Sequence, residues 1–160
     1  MDKLSNSETG CCERFNPQPW DEKEVIFKDK LFLKERVISI FHIPLNFGAV
    51  MKRSMEKIQA AQALSDKPLM LSDENSLWGS DIYIQVSKNV PDSTMVRISG
   101  TFLSKAFEGS FSQMGLWIEE MKRFVVNKGK TIKKMYFYYT TCPACAKHYG
   151  KNYTVILAKV

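Results

Sequence analysis

Polar and apolar positions along this chain follow two rhythms, and the changes between them mark out the elements. VIFKDKLFLKERVISIF is dense in β-branched and aromatic residues and reads as extended chain. From Leu45 to Ala63, Phe47, Val50, Met51, Met55 and Ile58 recur at the spacing of one helical face, which predicts a first helix. Asn46 is its expected N-cap, because an Asn side chain can accept from an unpaired N–H of the first turn. After Pro68, LMLSDE and SDIYIQVSK read as the strands of a hairpin around DENSLWGS. The second half runs the same way. MVRISGTFLSKAFEG is strand-like, and FSQMGLWIEEMKRFVVNKG carries Met114, Trp117, Met121, Phe124 and Val125 at helical spacing before closing at Gly129. MYFYYTT and YTVILAKV supply two final strands.

The two halves match at a fixed offset. Adding 66 carries Phe41 to Phe107, Phe47 to Gln113, Met51 to Trp117, Met55 to Met121, Ile58 to Phe124, Leu69 to Met135 and Leu71 to Phe137, apolar to apolar in six of the seven pairs. The last strands align only at an offset of about 71 or 72, so an insertion falls in the second hairpin, where TTCPACAKHYG lies. The pattern predicts an α+β fold of two strand-helix-strand-strand repeats, over about 31–90 and 95–160, within a single domain at 31–160. Residues 1–10 are polar and read as a flexible tail. Residues 11–30 read as an extended arm, since Pro17 and Pro19 disfavour helix while Phe15 and Trp20 offer anchors on the body.

Composition narrows the class. At 160 residues and 44% apolar, the chain can bury a core, and no apolar run is long enough for a membrane span. With no basic-plus-apolar leader pattern, the expected compartment is the cytoplasm. The net charge of +6 invites a nucleic-acid reading. No helix-turn-helix pattern and no basic stripe with spaced aromatics supports it, so Lys128, Lys130, Lys133 and Lys134, like Lys147, Lys151 and Lys159, are read as solvated surface.

AFEGSFSQMGLWIEEMKRFVVNKGKTIKKMYFYY, Ala106 to Tyr139, resembles the GyrI-like family, the effector-binding domain of multidrug-responsive bacterial regulators. That family's pattern is a strand ending in Glu/Arg-Gly-Pro-Tyr, an amphipathic helix with an early aromatic, then Gly and a Tyr-containing strand. Here these are Glu108-Gly109-Ser110-Phe111, Trp117, Gly129 and Tyr136. The resemblance implies a curved antiparallel sheet with two helices on one face, and a cleft between the halves for a small aromatic or cationic molecule. Some stand-alone members that this chain resembles hydrolyse strained electrophilic small molecules, using a pocket carboxylate and aromatic side chains. Two departures stand out: MYFYYTT lacks the family's pocket Glu, and the chain has no room for the regulators' DNA-binding domain.

Glu108 is accordingly the leading candidate for a reacting carboxylate. His42, between the first strand and the first helix, is the second, as a general base or as a histidine satisfying a buried backbone group. Trp78, Tyr83, Trp117, Tyr136 and Tyr138 are the candidate ligand-binding aromatics. Strand alternation puts Tyr136 and Tyr138 on one face, favoured for the cleft, and Phe137 and Tyr139 on the other. Asp73, Glu74 and Asp81 flank Trp78, although turn geometry alone accounts for Asp73 to Asn75.

Cys142 and Cys145 have Cys-x-x-Cys spacing, but too little chain follows them for a thioredoxin-type body. A tight turn presenting two thiolates to one zinc ion fits better, completed by Cys11, Cys12 or His148. Such a zinc would be structural, and no organic cofactor is implied. A small-molecule binder or hydrolase thus stands beside a non-enzymatic protein-interaction module whose arm is clamped by zinc. A clamp would give about one zinc per chain in protein purified without a histidine tag, lost in Cys142→Ser and read by mass spectrometry.

Overall fold

The computed structural model describes residues 15–40, 43–65, 68–76, 78–140 and 147–160. The chain divides into two units: residues 15–25 with 101–160 form unit one, and Ile26–Gly100 forms unit two. The elements are β1 (Lys23–Ile40), β2 (Ile43–Pro44), α1 (Phe47–Ala60), β3 (Met70–Ser76), β4 (Gly79–Gln85), β5 (Thr94–Glu108), a 3-10 turn (Phe111–Gln113), α2 (Met114–Asn127), β6 (Lys134–Tyr139) and β7 (Tyr153–Lys159). It is a mixed α+β fold, and the strand pairs within each unit are antiparallel. No helix among the described residues is long and apolar enough to cross a membrane.

In unit two the strand order is β2-β1-β4-β3. Val50, Ser54 and Ile58 recur every four residues along α1 and are its buried face. They pack on Leu33, Val37, Ile82 and Ile84, alternate residues of β1 and β4, with Met51 and Met55 half-buried at the edge. Asn46 does stand at the N-cap of α1, but its side chain makes no cap bond; its Oδ1 accepts from the Ile38 N–H at 2.8 Å instead. Satisfying that strand donor replaces the capping role read from the sequence.

Unit one has the order β6-β7-β5. Trp117, Met121 and Val125 are the buried face of α2 and lie on Leu103 and Phe107 of β5, Phe137 of β6, and Ile156 and Ala158 of β7. The middle strand, β7, is buried at every residue from Thr154 to Ala158, as a strand covered on both faces must be. Buried helix positions of the two units therefore correspond at an offset of 67, one more than the 66 read from the sequence. The paired core residues of β1 and β5, Leu33 with Leu103 and Val37 with Phe107, correspond at 70. A single ungapped offset fails because the stretch from the core of the strand to the core of the helix differs in length: Val37 and Val50 are 13 positions apart, whereas Phe107 and Trp117 are 10 apart.

Two core positions behave oppositely on truncation. Met121 is fully buried, so Met121→Ala should cost about 2–5 kcal/mol in urea unfolding. The Ser54 hydroxyl is buried without a hydrogen-bond partner, so Ser54→Ala should hold stability or raise it by about 1 kcal/mol.

Candidate functional site

Glu108 ends β5 and stands opposite Tyr153 of β7 in the ladder. Its neighbour Phe107 faces α2 and stacks on Trp117 with ring centroids 5.6 Å apart. Alternation therefore turns Glu108 to the other face, where the carboxylate is exposed. The chain then breaks sharply at Gly109, whose φ of +137° favours glycine. A Cβ there would lie 2.9 Å from Gln113 Oε1. Asn152 clamps this turn from both sides: its carbonyl accepts from the Gly109 N–H at 2.9 Å, and its Nδ2 donates to the Gly109 carbonyl at 2.9 Å. Ser110 continues in extended geometry and its Oγ accepts from the Ser112 N–H at 3.3 Å, which starts the 3-10 turn.

Around this turn lies an open groove of about 410 Å³, lined by Glu108, Gly109, Ser110, Lys147, Gly150, Lys151 and Asn152. One carboxylate and two ammonium groups share it, so its formal charge is positive. Gly150, at φ +74°, makes the bend that sets Lys147 and Lys151 on either side of it in the chain. Lys105, on the α2 side of β5, is engaged elsewhere: its Nζ is 3.2 Å from Glu22 Oε1 and lies over the Phe107 and Phe124 rings.

Register places Tyr136, Tyr138 and Tyr153 on the same face as Glu108, away from α2. Tyr136 is buried against Phe102, centroids 6.1 Å apart. Tyr138 is half-buried and carries Phe15 and Trp20. Phe137 joins the core under α2 and Tyr139 packs at its edge. Trp117 is buried in that core as well, so in this structure it shapes the turn at Gly109 from beneath.

The remaining candidates belong to unit two. Trp78 is 60% exposed in the turn between β3 and β4. Tyr83 is buried, edge-on to Phe32, with Lys34 Nζ 5.9 Å from its ring. Asp73 is not a turn residue: it pairs directly with Asp81 across the β3–β4 ladder. Like charges so placed repel, and cations on β1 offset them, with Arg36 Nη1 at 3.3 Å and Lys34 Nζ at 3.9 Å from Asp81.

His42, Cys11, Cys12, Cys142 and Cys145 lie outside the described residues. His148 is exposed, its ring edge-on to Tyr149. No group of three or more His, Cys, Asp or Glu suited to a metal occurs among the described residues. Lys147 and Lys151 stand out in the sequence as a basic cluster, which reads as solvated surface; Asn152 and Tyr153 carry no local signal, because each gains its role only when β7 returns beside the end of β5.

A sequence model of a family described as bacterial hydrolase matches residues 2–160. No curated protein matches the chain. Among solved structures, a hydrolase from Listeria innocua shares the fold at a TM-score of 0.63 and 12% identity, over 88% of this chain and 92% of that one. An uncharacterized conserved protein from the same organism gives 0.61 and 13%, over 85% and 90%. A further Listeria innocua hydrolase gives 0.60 and 14%, over 86% and 90%.

The turn that aims Glu108 should be sensitive to small changes. Gly109→Ala is expected to destabilise by about 1–3 kcal/mol through its backbone angle and the contact with Gln113. Asn152→Ala should cost about 1 kcal/mol through the lost side-chain bond, both read by thermal melting.

Proposed function

We propose, from the premise that the chain belongs to the bacterial hydrolase family, that it hydrolyses a small electrophilic molecule with Glu108 as the base. The observation that carries this reading is the exposed carboxylate of Glu108 in an open groove with Lys147 and Lys151. A water held by the carboxylate gives it a proton as the water oxygen bonds to the electrophilic carbon. The bond from that carbon to its leaving atom breaks, and the leaving atom takes the electron pair. An ammonium group of Lys147 or Lys151 stabilises that negative charge and can return a proton to it. With two lysines to one carboxylate, the groove favours a substrate that becomes negative over one that is a cation, which narrows the ligand class expected from the resemblance.

The finer kinship we infer is GyrI-like. Its support is threading: unit two runs β1, α1, β3, β4 with β4 between β1 and β3, and unit one runs β5, α2, β6, β7 with β7 between β5 and β6. Both are strand-helix-strand-strand with the last strand central, as duplicated copies of one unit would be.

Activated aryl esters and epoxides form the first substrate panel. Glu108→Gln should lower turnover of whichever is hydrolysed by about 10²–10⁴-fold, with the melting temperature unchanged. Saturable binding without turnover in the parent protein would instead make it a sequestering protein.

A further inference from the structure

All of the net positive charge comes from one quarter of the chain. Residues 121–160 hold nine Lys or Arg and no Asp or Glu, whereas residues 1–120 hold 14 Lys or Arg against 17 Asp or Glu. Two of the nine, Lys147 and Lys151, line the groove at Glu108. The other seven gather where α2 ends and β6 begins, at the opposite end of the β6–β7 ladder.

The backbone fixes that end. α2 closes at Gly129 (φ +71°), where the Gly129 and Lys130 N–H groups donate to the Val126 and Val125 carbonyls at 2.9 and 3.2 Å, so Lys128 and Lys130 stand on a defined turn. The Lys133 N–H donates to the Lys159 carbonyl at 2.7 Å, and Lys134 stands directly opposite Lys159 in the ladder. Like charges so placed repel. Unit two answers its own such pair, Asp73 and Asp81, with Arg36 and Lys34. Here Lys122 pairs with Glu119 at 3.2 Å, but no carboxylate among the described residues pairs with Lys128, Lys130, Lys133 or Lys159. Val126 is 69% exposed in their midst, one helical turn beyond Lys122 and Arg123.

We propose that this end of unit one rests on a bilayer rich in anionic lipid, with its lysines among the headgroups and Val126 dipping between them. Such contact needs no spanning helix. Lysine is a compact charge on a flexible stem, suited to a field of headgroups, whereas recognition of nucleic-acid phosphates favours the arginine fork. The cations are spread over the ends of α2, β6 and β7 rather than along one line, which matches a surface better than a nucleic-acid strand. An exposed apolar side chain ringed by cations serves an interfacial contact and adds nothing to a phosphate contact. Five ladder steps, about 16 Å, separate the Lys134–Lys159 pair from Tyr139–Thr154, so docking leaves the Glu108 groove open at the far end.

The test sediments the full chain with vesicles of phosphatidylcholine, alone or with roughly one-third phosphatidylserine. Binding is expected to the anionic vesicles only, and should fall steeply as salt is raised. Lys128→Gln with Lys130→Gln and Lys133→Gln should weaken it about 100-fold, near fivefold per lysine, with the fold intact by circular dichroism. Val126→Ser alone should weaken it about fivefold. Equal binding to both vesicles, binding to neither, or binding that the triple variant keeps overturns the proposal. Salt-insensitive binding by the parent protein overturns it too, without any variant. So does a random DNA duplex bound in preference to the vesicles and unaffected by Val126→Ser, which makes this end a nucleic-acid surface instead. Turnover at Glu108 is a separate readout, so failure of either reading leaves the other standing.

Discussion

Phe107 and Glu108 are consecutive in the chain and must face opposite ways, and much of unit one is arranged around that fact. Burying a phenylalanine side chain gains about 1.5–3 kcal/mol, whereas burying an unpaired carboxylate costs more than that. Slipping β5 by one residue would incur both losses together, so the stacking of Phe107 on Trp117 fixes the register. The aim of the carboxylate is thus decided by an apolar contact on the far side of the sheet. Gly109 and Asn152 then hold the strand end where the groove begins.

Unit two shows the same alternation with other chemistry. Its face opposite α1 sets Asp73 against Asp81 and answers them with Lys34 and Arg36. Gly79 is required by the neighbouring strand: a Cβ there would come within 2.8 Å of the Val37 carbonyl oxygen, which cannot move aside, as well as 2.7 Å from Arg36 Nη2. The backbone of β1 therefore sets the size of the residue at the start of β4, and Arg36 uses the space that glycine leaves.

Element positions were legible because each has a clear period: the helices α1 and α2 fall inside the stretches read as helical, and all the longer strands were recognised. The alternation that separates Tyr136 and Tyr138 from Phe137 and Tyr139 was equally readable. Less legible was anything set by pairing. The core offsets of 70 and 67 follow from connection lengths that hydrophobicity does not encode, and Asn46 serves a strand donor that becomes its neighbour only on folding. Trp117 illustrates the limit for the site. An aromatic at a helical core position and one lining a cleft have the same spacing, and only its stacking on Phe107 separates them. Lys147 and Lys151 acquire meaning from the return of β7 alongside β5, which no local pattern announces.

The central place of β7 matters while the chain is being made. During synthesis β5 and β6 emerge first, and both must wait with open edges for the strand that will join them. Unit two, made of one continuous stretch, has its middle strand β4 by residue 85, whereas residues 15–25 must wait for a partner that begins at residue 101. Synthesis at roughly 5–20 residues per second makes that wait several seconds. Nascent chains are thus most exposed to aggregation or chaperone capture just before β7 appears, and VILA, the apolar run that completes unit one, is also the segment whose delay leaves it vulnerable.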